Sequence, residues 1–290
     1  MKVTTWNING VRAREADVHE WVRAERPDVL CLQETKASPH QIPASLVELD
    51  GYWAYWHGHK GYSGVALLVR RDVCPVRPEF SHPEFDVEHR IVVVSLGALR
   101  IASIYVPNGG KDFAAKMTFL EALERYAEAQ HRAGLTLLLC GDYNVARTPI
   151  DVHPKLRNDA EIGQTAPERA LFERLLSHGL TDLGRHFAPD DTELFTWWAP
   201  WRQYRERNVG WRLDCVLASA GAAKRALNCT ARRDFGLSDH GPVTATFDGP
   251  LFDASQVTPG AEPPRVEPPP AAPDTEGQLD LFGNPVRSKR

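Results

Sequence analysis

Short apolar runs that stop at polar residues recur along the chain. The central one runs from Leu135 to Cys140, is bounded by Gly134 and Gly141, and is followed by Asp142-Tyr143-Asn144. Its length and its glycine borders predict a buried strand, not a helix. If the extended backbone continues past Gly141, the period of two places Asp142 and Asn144 on one face. Val3-Thr-Thr-Trp-Asn7-Ile-Asn9 and Val29-Leu-Cys-Leu-Gln33-Glu34 repeat the design: a strand, then amides or an acid. Further strands are predicted over 65–69, over 91–95 and 100–106 as a hairpin around Gly97, over 193–198, over 211–217 with Asp214 in the middle, and over 243–247. Helices are predicted from about Ala13 to Arg26 with Val18, Trp21 and Val22 inward, and from about Asp112 to His131 with Phe113, Met117, Leu120 and Leu123 on one side. A third opens at Pro167, where proline is tolerated, and runs to about His178.

Strands that alternate irregularly with helices and often pair as hairpins favour an α/β (α+β) fold of two packed mixed sheets with helices outside, not a doubly wound parallel sheet. No glycine-rich phosphate loop of the dinucleotide or Walker type is present.

Composition divides the 290 residues in two. Residues 251–290 hold eight of the 22 prolines, and Pro259 to Pro273 is almost devoid of apolar side chains. That stretch predicts a disordered tail behind a catalytic body of residues 1–250. Net charge is −4, and the tail, with six acids against four bases, carries half of it. Bulk charge therefore announces no nucleic-acid partner, which would need a local basic patch beside an acidic pocket. Five cysteines, an odd count with no Cys-x-x-Cys, predict reduced thiols in a cytoplasmic protein. Lys2-Val-Thr-Thr leads straight into a strand and is not read as a secretory leader, and no apolar run is long enough to span a membrane.

Five segments end a predicted strand in polar residues: Asn7/Asn9, Glu34, Tyr105/Asn108, Asp142/Asn144 and Asp239/His240; Asp214 adds a sixth. Singly, each has a plainer explanation as a turn, a solvated strand end or, for Asp214, a partner of Arg212. Together they suit one chemistry. A hard divalent cation takes carboxylate and amide oxygens, so Glu34 is the leading metal ligand, with Asn7, Asp142, Asn144, Asp239 and His240 as further candidates. Asp214 is placed to orient His240, whose imidazolium stabilises a phosphoryl oxygen. Asp142 is placed to activate water for in-line attack on phosphorus, with an ionised Tyr105 as the alternative proton acceptor.

Seven segments in order then carry a resemblance. They are Thr5 to Gly10 with Arg12, Leu32 to Lys36, Gly61 to Ala66, Tyr105 to Asn108, Gly141 to Asn144, Asn208 to Asp214, and Ser238 to Pro242. The chain resembles the exonuclease III family of AP endonucleases, of bacterial type, within the endonuclease/exonuclease/phosphatase superfamily. The resemblance implies a four-layered, DNase I-like α/β sandwich. It implies Mg²⁺- or Mn²⁺-dependent incision 5′ to abasic sites, with removal of 3′ nucleotides and 3′-blocking groups. It assigns Glu34 to metal binding with Asn7 and Asp239 nearby, Asp142 to water activation, Asn144 to transition-state stabilisation, Tyr105 to the phosphate, and Asp214 with His240 to an acid–imidazole pair. Trp197 and Trp211 fall where family members wall the pocket for a flipped-out abasic sugar. Asn9, Arg12, Lys36, Asn108, Lys111, Arg202, Arg205 and Arg207 are candidate DNA contacts.

In the tail, Gln278-Leu279-Asp280-Leu281-Phe282 is similar to the short peptide by which bacterial repair proteins dock on the β sliding clamp, with Leu281 and Phe282 filling an apolar pocket and the linker supplying reach. The expected partner is double-stranded DNA with abasic sites or 3′ ends, the expected state a monomer. The competing readings are a same-fold phosphodiesterase for phospholipids or inositol phosphates, and a catalytically weak DNA-binding or clamp-recruited scaffold.

Overall fold

The period of two in the strands resolves into three stacked apolar layers. Residues 1–261 are described by the computed structural model. In chain order the elements are β1 (Lys2–Asn7), α1 (Glu15–Glu25), β2 (Val29–Gln33), α2 (Ala44–Val47), β3 (Tyr52–His59), β4 (Tyr62–Arg70), β5 (Glu79–Ser81), β6 (Ile91–Leu96), β7 (Leu99–Tyr105), α3 (Phe113–Arg132), β8 (Thr136–Asp142), α4 (Ala166–Ser177), β9 (Leu180–Asp182), α5 (Leu183–Phe187), β10 (Asp214–Ser219), α6 (Ala220–Ala223), β11 (Ala226–Ala231) and β12 (Val243–Phe247). One six-stranded sheet has the order β11-β12-β1-β2-β4-β3, the other β5-β6-β7-β8-β10-β9. Each contains a single parallel pair, β1/β2 crossing over through α1 and β7/β8 through α3, so both sheets are mixed as the pattern predicts.

Alternate residues take opposite sides. Val29, Cys31, Leu138, Cys140 and Val216 face the layer between the sheets. Leu30 and Leu32 face outward onto Val18 and Trp21 of α1, and Leu137 and Leu139 face outward onto α3 and α4 through Leu120, Leu123 and Phe172. The result is the four-layered sandwich, helix–sheet–sheet–helix. At Gly141 the parallel neighbour comes so close that a Cβ would stand 1.9 Å from the carbonyl oxygen of Ile104, which explains the glycine inside β8.

Four readings change. Residues 193–198 form no strand; Trp197 makes only isolated bridges to Trp211 and His240, and the chain otherwise runs irregularly. Asp214 begins β10 instead of standing mid-strand. Phe113 is exposed at the start of α3, and the inner face runs instead through Lys116, Phe119, Leu120 and Leu123. The packed body also extends beyond residue 250: Leu251 and Phe252 lie against the intersheet core, Val257 is buried, and the Gly260 amide donates to the Arg77 carbonyl at 2.8 Å. The predicted clamp motif, residues 278–282, lies outside the described residues. Among the described residues no helix is long and apolar enough to cross a membrane.

Candidate active site

The face that builds the intersheet core turns polar at one end. Counting by two from Cys140 gives Asp142, from Cys31 gives Gln33, from Ile101 gives Ser103 and Tyr105, and back from Val216 gives Asp214. Register brings them together: Tyr105 lies opposite Asp142, Asp142 opposite Asp214, and Asn7 opposite Gln33. The polar end of the core is sealed by hydrogen bonds from Thr5 Oγ1 to Gln33 Oε1 and from Gln33 Nε2 to Ser103 Oγ.

Glu34, Asp142 and His240 converge there, with donor atoms within 4.8 Å of one another. Asn7 Nδ2 donates to Glu34 Oε1 and to Asp142 Oδ2, both at 3.0 Å, so its amide clamps the two carboxylates. Asn144 reaches Asp142 by a turn, not by a continued strand. β8 ends at Asp142, Asn144 has φ 50°, and its backbone amide donates to Asp142 Oδ1 at 2.9 Å. Asn9, Glu34 and Lys36 also have positive φ, a conformation that L residues with side chains pay for and that marks over-determined functional turns. Lys36 Nζ stands 2.7 Å from Glu34 Oε2 and donates to Asn9 Oδ1 at 2.5 Å; Asn9 Nδ2 in turn donates to Asp239 Oδ1 at 2.8 Å. Trp197 Nε1 holds the other Asp239 oxygen at 3.0 Å, and the Trp197 ring meets Trp211 edge-on at 5.8 Å.

His240 lies with Nδ1 2.8 Å from Asp214 Oδ2 and Nε2 3.9 Å from Asp142 Oδ2. Its loop is fixed to β1, since Trp6 Nε1 donates to the His240 carbonyl and Ser238 Oγ to the Asn7 carbonyl. Burial alone disfavours the imidazolium, but the charges of Asp214, Asp142 and Asp239 and the Asp214 hydrogen bond outweigh it and push the imidazole up to about 10. Burial, reinforced by Asp214 and Glu34, raises Asp142 to about 7 against the opposing His240 charge. Glu34 goes down: burial opposes ionisation, but the Asn7 hydrogen bond and Lys36 prevail. Burial and the charges of Glu34 and Asp142 push the Tyr105 phenol well above its ordinary value, so it stays protonated.

The donor set fits a hard divalent cation, two carboxylates facing one pocket. Glu34 and Asp142 are the groups placed to hold it. A protonated imidazole has no lone pair to give, and Asn7 turns its nitrogen, not its oxygen, to the carboxylates. In this arrangement both residues brace the two carboxylates. Asp239 stands outside the trio, its oxygens accepting from Asn9 and Trp197.

Of the basic residues expected to meet DNA, Arg12, Lys111, Arg202 and Arg207 are exposed. Arg205 is not available for that role. Its guanidinium donates to the carbonyls of Arg233, Phe235 and Ser238 and lies 5.3 Å over Trp198, tying the 201–208 loop to the loop that carries His240. Asn108 Nδ2 stands 3.4 Å from Asn144 Oδ1. One positioning group went unseen in the sequence, and a second, Arg212, has other partners than expected. Lys116, fully buried, donates to the carbonyls of Asn144 at 2.7 Å and Asn108 at 3.1 Å and pairs with buried Glu168. Its place four and seven residues before Leu120 and Leu123 is the signal that marks it as inward. Arg212 pairs with Asp151 and Asp182 beneath the site, not with Asp214.

Fold and site together define a hydrolase of the two-sheet sandwich class whose chemistry sits where the strands of both sheets end. The profile of the Endonuclease/Exonuclease/phosphatase family matches residues 4–240, and the chain belongs to that family. It is 34% identical over 262 residues to the DNA repair nuclease APEX1 of Danio rerio, covering 84% of this chain and 81% of that protein. It is 32% identical to an exodeoxyribonuclease of Bacillus subtilis, covering 84% and 98%. Among solved structures, an AP endonuclease from Archaeoglobus fulgidus superposes with a TM-score of 0.75 at 31% identity, covering 86% of this chain and all of the other.

Proposed function

We propose that this chain is a Mg²⁺- or Mn²⁺-dependent DNA-repair phosphodiesterase that incises the backbone 5′ to abasic sites and trims 3′ ends, leaving a 3′-hydroxyl. The carrying observation is the Asn7 clamp, which holds Glu34 and Asp142 side by side while Asp214 holds a charged His240 opposite them. The names of its relatives, a DNA repair nuclease and an exodeoxyribonuclease, support DNA as the substrate over a lipid or an inositol phosphate.

When bound at Glu34 and Asp142, the cation polarises the phosphate and neutralises developing charge. The chain supplies the rest. Asp142, as carboxylate, takes the proton of the attacking water while Asn7 and Asn144 fix its oxygens. The His240 imidazolium, oriented by Asp214, stabilises the charge on a phosphoryl oxygen. Tyr105, protonated, donates a hydrogen bond to the phosphate instead of accepting the water's proton. Trp197 and Trp211 wall the space beside Asp239, where an extruded abasic sugar fits.

A duplex oligonucleotide carrying one tetrahydrofuran lesion is nicked immediately 5′ to it with Mg²⁺ and left intact with EDTA. Folded protein that cuts with neither Mg²⁺ nor Mn²⁺ overturns the proposal, and retained binding without cutting turns it into a scaffold. The tail motif Gln278 to Phe282 supports recruitment to a bacterial sliding clamp. Leu281→Ala with Phe282→Ala abolishes capture by purified clamp and leaves free-solution nicking unchanged; capture by the double variant refutes the docking role.

A further inference from the structure

One end of the sandwich, where the two sheets reach their β3 and β5 edges, carries a cluster that DNA hydrolysis does not use. His57 comes from β3, His82 follows β5, and Asp86 and His89 lie in the connection to β6. His57 Nε2 is 2.5 Å from Asp86 Oδ2. The His57 and His82 rings stack at 4.4 Å, 13° from parallel, and the His89 ring lies 4.6 Å from that of His57. One donor atom each from His57, His82 and Asp86 lies within 4.8 Å of the others. Beside them Tyr55 of β3 stacks on Phe80 of β5 at 5.4 Å, so the two edges already touch.

We propose that His57, His82 and Asp86, with His89 as the adjoining third imidazole, form a transition-metal site of the Zn²⁺ class that staples the two sheets at their open edge. The donor chemistry separates it from the catalytic centre. Imidazole nitrogens with one carboxylate select Zn²⁺, Co²⁺, Ni²⁺ or Cu²⁺, whereas the oxygen donors at Glu34 and Asp142 select Mg²⁺ or Mn²⁺. The site is also pre-organised. Asp86 Oδ1 is fixed by the backbone amides of Arg90 and Ile91, at 2.8 and 3.1 Å, which leaves Oδ2 for His57 or the metal. An edge cluster formed only for packing has no need of stacked imidazoles around one anchored carboxylate; apolar rings like Tyr55 and Phe80 serve that purpose one step along the same edges. The connection that carries Asp86 and His89 leads directly into Arg90, whose guanidinium lies 4.7 Å over the ring of Tyr105. Metal here thus braces the wall of the active site from behind.

The test uses the full chain, stripped by chelator and held in millimolar Mg²⁺ to fill the oxygen-rich centre, with Zn²⁺ titrated by calorimetry. Wild type and Asp142→Asn each bind one Zn²⁺ with a Kd of about 1 μM or below, and Zn²⁺ raises Tm by about 5 °C. His82→Ala, at an exposed position that leaves the fold intact, weakens binding by roughly 100-fold and removes the Tm shift. Co²⁺ in place of Zn²⁺ gives a visible absorption band that His82→Ala abolishes. The proposal is overturned if no Zn²⁺ binds at this level, or if binding survives His82→Ala and disappears in Asp142→Asn, which would place the metal at the catalytic centre.

Discussion

Asp142→Asn lowers metal-dependent incision of an abasic duplex by roughly 10³-fold, while affinity for that duplex, measured in EDTA, stays within about threefold of wild type. The substitution keeps the shape of the side chain, but its single oxygen serves only one of the two donors, Asn7 Nδ2 or the Asn144 amide, and the proton acceptor is gone. Wild-type kcat/KM carries the same signature. Its folded-state value near 7 makes the Asp142 carboxylate the minority form below that pH, so activity falls as pH drops, with a midpoint at about 7 or, once a bound cation draws the carboxyl down, below it. The sign for stability is opposite. A carboxyl raised above its unfolded value resists ionisation in the fold, so the charged group costs stability as pH rises past its ordinary range, and Asp142→Asn leaves the metal-free Tm unchanged or higher. A variant retaining more than about a tenth of wild-type activity removes Asp142 from the role of base.

The largest loss of stability is expected at Asp151→Ala. Asp151 Oδ1 accepts from Arg185 Nε at 2.8 Å and from Arg212 Nε at 2.6 Å, and Arg212 also reaches Asp182 Oδ2 at 2.7 Å. Asp151, Asp182, Arg185 and Arg212 are all buried. Removing the shared carboxylate strands Arg185 and leaves Arg212 with Asp182 alone, which costs about 3–5 kcal/mol and lowers Tm by about 10 °C. Asp151→Ala combined with Arg185→Met recovers part of the loss because the stranded charge goes too. Burial works against Asp151 ionisation, but Arg212 and Arg185 hold it down at about 2, so its contribution is complete above the ordinary carboxylate range and is lost only as pH falls through about 2. Urea melts that place Asp151→Ala within about 1 kcal/mol of wild type contradict this account.

The two sheets and the converging strand ends were legible because both rest on short-range signals: apolar runs of strand length, period two, and polar residues where runs stop. Unpredicted strands lack that signal. β11 buries only Cys229 along its six residues, and β3, at a sheet edge, buries only Tyr52 and Gly58. Residues 193–198 misled in the other direction, since Phe195, Thr196 and Trp197 are strand formers by type yet are used to lay Trp197 against Trp211. Arg205 reads as a DNA contact from charge alone, while its carbonyl partners lie about thirty residues away in sequence. The Asp151–Arg212–Asp182 network is equally non-local, and no spacing along the chain announces it. The ligand-bearing turns were found, but by residue type and not by shape: nothing in Gly-Asp-Tyr-Asn says that Asn144 reaches Asp142 by reversing the chain.

That reversal bears on how such a centre is inherited. Asn9, Glu34, Lys36 and Asn144 each sit at a backbone angle that side chains ordinarily avoid. Grafting the same side chains onto the strand ends of another β-sandwich would therefore aim them elsewhere. The transferable unit is the bent loop together with the neighbours that hold it bent, such as Lys116 under Asn144, and not the residue at its tip.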